Sequence, residues 1–179
     1  MPTDFQVPPK VSFQGAIAFT QTLLTDIDQL APSEIESHVS DLVVTMNGAR
    51  GFFVTFLTND FKLPQAKSDA IATALCTAPD IVAELLVKNL VMSTAMTLTH
   101  SRQDNTEMAQ QSQQTQQRTK AIIQQVQLPA VEQEAQQLWQ SLTTETGAYT
   151  DFLQKWGYDD EQKQAMQTVI SETFPALQA

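Results

Sequence analysis

Apolar residues recur at steps of three and four along most of this chain, the spacing of amphipathic helices rather than strands. After Ser12 the stripe runs through Phe13, Ile17, Thr20, Leu24, Ile27 and Ala31. Pro32 then restarts the chain. Ser33 and Glu36 predict a capping box there, the hydroxyl taking a first-turn N–H and the carboxylate reaching back. Ile35, Val39, Leu42 and Met46 stripe this second helix, and Asn47-Gly48 predicts a left-handed exit from it. From Ala49 to Phe61 the chain is at its most aromatic. Phe52, Phe53, Phe56 and Leu57 suit a short buried helix, because no other strand-like run is present to pair with them. Asn59-Asp60 ends that element, and Pro64 opens a further helix through Ile71 and Leu75 to Cys76.

The pattern changes between Thr77 and His100. Ile81, Val82, Leu85, Leu86, Leu90, Val91, Met92, Met96 and Leu98 cover more than one stripe, which predicts a helix buried on most sides. Thr77 is placed to cap it, and Pro79 suits a first turn whose N–H groups have no intrahelical partner. A single helix from Pro79 to Gln127 would extend about 70 Å. A domain of this size has a radius of gyration of about 16 Å. A break is therefore expected within residues 101–106, where Asp104 and Glu107 can form a new capping box.

The segment after the break is polar until Ile122, Ile123 and Val126. Pro129 opens a further main helix, striped by Val131, Ala135, Leu138, Leu142, Tyr149, Leu153 and Trp156, with Gly147 a weak point and Gly157 the end. Asp159 to Gln162 starts a last helix carrying Met166, Val169, Ile170 and Phe174. No repeat of fixed period runs through the chain, which argues against a solenoid. The expected fold is an all-α, single-domain bundle of six to eight helices around a central buried helix over residues 79–100. Residues 1–11, with Pro2, Pro8 and Pro9, form an extended N-terminal arm, and 12–179 form one helical domain.

Composition narrows the chemistry more than it names it. The 179 residues suffice for one real core, and only five glycines favour helix. Ten basic against twenty acidic residues leave a formal charge of −10, and the basic ones are scattered singly, which excludes a nucleic-acid partner. MPTDFQVPPK has no basic stretch followed by an apolar one, so no signal peptide is expected. Glu84, Lys88 and Asn89 interrupt the most apolar helix, so membrane insertion is not expected and the chain reads as cytoplasmic. Cys76 is the only cysteine; no internal disulfide can form, and its apolar context predicts a small buried side chain.

Catalytic and metal signatures are missing. Neither His38 nor His100 has a glutamate three residues before it, and one cysteine with two distant histidines does not make a zinc site. No nucleophile elbow or phosphate loop is present, so no cofactor is expected. Four cationic residues could still hold an anionic ligand. Arg50 lies between Gly48 and Gly51, Lys88 is on the central helix, and His100 and Arg102 stand at its end. The simpler expectation is structural: Arg50, Glu84 and Lys88 as an ion-pair network, with His100 and Arg102 complementing the helix dipole. An enzyme using His100 as a general base ranks below both.

The tract Gln110 to Gln117 is the most unusual feature of the composition. Gln110, Gln113, Gln114 and Gln117 share one helical face and carry no charge, so like molecules with a net charge of −10 could meet there. The leading expectation is a non-enzymatic interaction or scaffold protein with a protein partner or a second copy of itself. The alternative is a helical protein binding a small anionic molecule near Arg50, His100 and Arg102.

Overall fold

The computed structural model describes residues 6–60 and 62–178. All regular structure among them is helical. Nine α-helices follow in order: α1 (Phe13–Thr25), α2 (Pro32–Val43), α3 (Met46–Thr58), α4 (Gln65–Leu75), α5 (Pro79–Arg102), α6 (Thr106–Val126), α7 (Pro129–Thr144), α8 (Thr150–Trp156) and α9 (Asp160–Thr173). A short 3₁₀ turn (Pro175–Gln178) closes the described chain. The all-α bundle is therefore as expected. Residues 1–5 of the expected arm, and Phe61, lie outside the described residues; from Gln6 to Ser12 the chain is non-helical, and Val11 is buried.

The chain forms two compact units that divide within α5, between Leu85 and Leu86. In the first, α1 packs on α3 and α2 packs on both α3 and α4. Leu23, Ile35, Leu42, Phe52, Phe53, Leu57 and Leu75 are fully buried there. The α1–α3 crossing is close because of Gly51. A Cβ at that position would lie 2.4 Å from Ala16 Cβ and 2.9 Å from the Phe13 carbonyl oxygen. In the second unit α7 packs on α9, and Leu86, Leu90, Leu138, Met166 and Ile170 are fully buried.

At several helix ends the structure departs by one or two residues from what the local sequence signals predict. Ala31, not Ser33, is the N-cap of α2, and Glu34 rather than Glu36 accepts its backbone N–H at 2.8 Å. Asn47-Gly48 is no exit: both residues lie in the first turn of α3, capped by Thr45, and Met46 opens α3 instead of closing α2. Gly48 is needed for a different reason, since a Cβ there would sit 1.9 Å from the Leu42 carbonyl oxygen. The Thr77 hydroxyl donates backwards to the Ala74 carbonyl at 2.7 Å and does not cap α5.

The break after α5 is real, but Asn105 caps α6, accepting the Met108 N–H at 3.2 Å, while Asp104 takes a left-handed φ of 54°. Gly147 is a full break rather than a weak point. Glu145 and Gly147 both have positive φ, which separates α7 from α8. Gly157 ends α8 and the Asp159–Gln162 capping box opens α9, both as read from the sequence.

α5 is buried through Val82, Ala83, Leu85, Leu86, Val87, Leu90, Val91 and Ala95. By length and apolar content alone it is also a candidate membrane span, with half of its most apolar stretch buried within the protein. Its second half is hydroxyl-rich, and one of those hydroxyls receives a polar side chain of α6. The Thr94 hydroxyl donates to Leu90 O and accepts the amide of Gln116 at 2.7 Å. Gln162 reaches the Thr99 hydroxyl at 2.8 Å from the start of α9. These side chains satisfy one another where an apolar contact would otherwise be required.

Candidate functional site

Two features of the second unit have the geometry of sites. The first is the outer face of α6. Thr119, Ile122, Ile123 and Val126 are buried and anchor the C-terminal half of the helix, and Gln116 turns inward to Thr94. Gln110, Gln113, Gln114 and Gln117 are all exposed on the other side. Their spacing of three and four puts the amides in one row. Each amide both donates and accepts hydrogen bonds, so the row is complementary to itself. Between Met108 and Gln117 no residue is charged, and Arg118 is the first cation beyond it.

The second is a cleft of about 270 Å³ formed where α7, α8 and α9 meet. Its shape comes from the α7–α8 turn. The Ser141 hydroxyl accepts the Tyr149 N–H at 3.1 Å and donates to the Gln137 carbonyl at 3.0 Å, pulling the loop back onto α7. Gly147, at φ 141°, passes so close that a Cβ would lie 2.7 Å from that hydroxyl. Leu142 and Leu153 are buried and give the cleft an apolar floor. Thr150 and Tyr158 add hydroxyls, and Glu145 and Lys163 add opposite charges. The Thr150 hydroxyl oxygen is buried without a hydrogen-bond partner. Partial burial pushes the Tyr158 phenol up to about 12, so it keeps its proton and remains a donor at neutral pH.

Of the residues singled out in the sequence for an anionic ligand, Lys88, His100 and Arg102 all belong to the second unit but are not gathered into one pocket. Arg50 belongs to the first unit, where its exposed guanidinium lies over the Phe13 ring at 5.1 Å from the centroid. Lys88 is held against the rings of Tyr149 and Phe152, at 5.8 and 5.4 Å. Tyr149 is itself fixed by a hydrogen bond from its hydroxyl to Glu134. His100 lies twelve residues beyond Lys88 on the same helix, about 18 Å along its axis. It is half-buried, and its Nδ1 has no hydrogen-bond partner.

Arg102 binds Asp159 at 2.6 Å and also binds Glu161, tying the end of α5 to the start of α9. That guanidinium is already filled by two carboxylates. Cys76, expected in the core, is exposed at the C-cap of α4, where partial burial raises its thiol above the ordinary value.

The Arg102 bridge predicts a pH dependence. The guanidinium, followed by the Gln162 N–H, holds the Asp159 carboxyl below the usual range. A carboxyl lowered in the folded state stabilises fully above its unfolded value, and that contribution disappears as pH falls through the folded one. An Arg102→Gln variant is thus expected to melt below the wild type at pH 7 and to converge with it as pH drops below the ordinary carboxylate range. Thermal melts from neutral pH down to well below the ordinary carboxylate range check this. A gap that persists at the acid end would assign the difference to packing instead.

The sequence reading missed the cleft. Its residues come from three helices and a turn, and the only local signal was the pair of glycines, Gly147 and Gly157, that bracket α8. Among the described residues, no three His, Cys, Asp or Glu side chains are grouped to hold a metal. One family model matches the chain over residues 12–173, from the N-cap of α1 to the last residue of α9. No curated protein and no solved structure matches it.

Proposed function

The chain belongs to the family described as uncharacterised conserved protein UCP020893; that description carries no activity, so from the surface itself we propose a non-enzymatic interaction protein that self-associates through the outer face of α6. The observation that supports this is the simultaneous exposure of Gln110, Gln113, Gln114 and Gln117 in a charge-free row. Each copy carries −10, so approach of two whole molecules is repulsive, and a charge-free face lowers that repulsion locally. At this face they meet as neutral, self-complementary amides. A two-fold axis across α6 pairs each amide row with its own copy, which is the usual symmetry of a homodimer.

Native mass spectrometry over a dilution series tests the reading. A discrete dimer that dissociates on dilution is the expected result. A monomer at every concentration removes the proposal. The expectation of an anionic ligand near Arg50, His100 and Arg102 gains no comparable support, because Arg102 is occupied by Asp159 and Glu161.

A further inference from the structure

We propose that the α7–α8–α9 cleft binds a small zwitterion, a free amino acid with a short apolar side chain. The argument starts from the two charges at the cleft. Lys163 and Glu145 line the same cavity, yet among the described residues neither forms an ion pair, with the other or with any third group. Two opposite charges that share a cavity without pairing can accept a ligand carrying both. Lys163 offers an ammonium to a carboxylate, and Glu145 offers a carboxylate to an ammonium.

The neutral groups point to the same class. Tyr158 keeps its phenolic proton and can donate to the ligand carboxylate. Thr150 supplies a hydroxyl that has no hydrogen-bond partner within the protein. Its burial is costly unless something pairs with it. Leu142 and Leu153, 6% and 5% exposed, form a floor suited to a branched aliphatic side chain. The volume, about 270 Å³, sits just below the usual range for drug-sized ligands and favours a small one.

Size and charge together exclude other classes. A polyanion such as a nucleotide meets the Glu145 carboxylate and only one cation. A purely apolar molecule uses neither the Lys163 ammonium nor the Glu145 carboxylate. The inference does not depend on self-association, because none of the cleft residues lies on α6.

The test titrates the full-length, ¹⁵N-labelled chain with leucine, 4-methylpentanoate and isoamylamine, which share the apolar tail and differ in charge. Saturable shifts with leucine at the amides of Glu145, Thr150, Gly157 and Lys163 are expected, with each singly charged analogue about tenfold weaker. Lys163→Met should weaken leucine about tenfold and leave isoamylamine unchanged; Glu145→Gln should weaken leucine and leave 4-methylpentanoate unchanged. A charge-assisted hydrogen bond of ordinary strength corresponds to a factor of that size or more. Lys163→Arg keeps the charge and should retain binding, which separates loss of the site from loss of fold. Absence of shifts at the cleft, leucine binding indifferent to both substitutions, or 4-methylpentanoate binding as tightly as leucine would each overturn the proposal.

Discussion

Replacing Gln113 and Gln117 together by glutamate is expected to weaken self-association at least tenfold while the chain remains folded. Both side chains are exposed, so neither change buries a charge. Within one helix the new pair is separated by four residues, and like charges at that spacing cost only about 0.2–0.5 kcal/mol. Across a two-fold contact the effect is larger. In the proposed two-fold contact four carboxylates would gather at one face, and like-charge juxtaposition at an interface costs several kcal/mol. The amide donors of the proposed contact are lost at the same time.

A control separates local from global repulsion. Gln133 and Gln137 on α7 are also exposed and also four residues apart, so Gln133→Glu with Gln137→Glu adds the same charge away from α6. Native mass spectrometry and sedimentation of both variants give the comparison. The α6 pair should shift the monomer fraction and the α7 pair should not. Equal shifts would mean that total charge controls assembly, and the α6 face would lose its role.

Gly51→Val is expected to destabilise the protein by about 3 kcal/mol, at the upper end of what overpacking costs. The neighbours of the added carbon decide the sign. They are the Ala16 Cβ at 2.4 Å, the Phe13 carbonyl oxygen at 2.9 Å and the Ile17 nitrogen at 3.0 Å. None is the free end of a side chain, so no rotation relieves the contact, and α1 must move away from α3. Removing a mid-helix glycine recovers at most about 1 kcal/mol of helix propensity, which the clash exceeds. At Gly15 a Cβ would meet only side-chain atoms, Ser12 Oγ at 3.1 Å and Val11 Cγ2 at 3.4 Å. Gly15→Ala should therefore change stability by less than about 1 kcal/mol. Urea midpoints of the two variants test this. Ala16→Gly added to Gly51→Val should recover part of the loss, because it removes the closest of the three contacts.

The helices are legible from the residues alone, because their stripes repeat over many residues and an error at one position leaves the period intact. Most buried positions follow for the same reason: Phe52, Phe53, Leu90, Leu138, Met166 and Ile170 are stripe positions and are buried, whereas Met46, Met96 and Trp156, on the same stripes, are exposed. The exposed amide row of α6 was also legible, since Gln110, Gln113, Gln114 and Gln117 fall on one face at helical spacing.

Helix ends were legible only where chemistry leaves a single choice, as at Gly157 and the Asp159–Gln162 box. At α2, α3 and α6 neighbouring residues compete for the cap. Ala31 rather than Ser33, and Asn105 rather than Asp104, prevail because the approach of the chain, not the side chain alone, decides which N–H groups need a partner. Only the tertiary structure joined Arg102 to Asp159 and Glu161, and only it brought Glu145, Thr150, Tyr158 and Lys163 around one cleft. Those residues belong to different turns and helices, and no periodicity links them. A stripe is a property of one helix, whereas a site depends on the angle and distance between several.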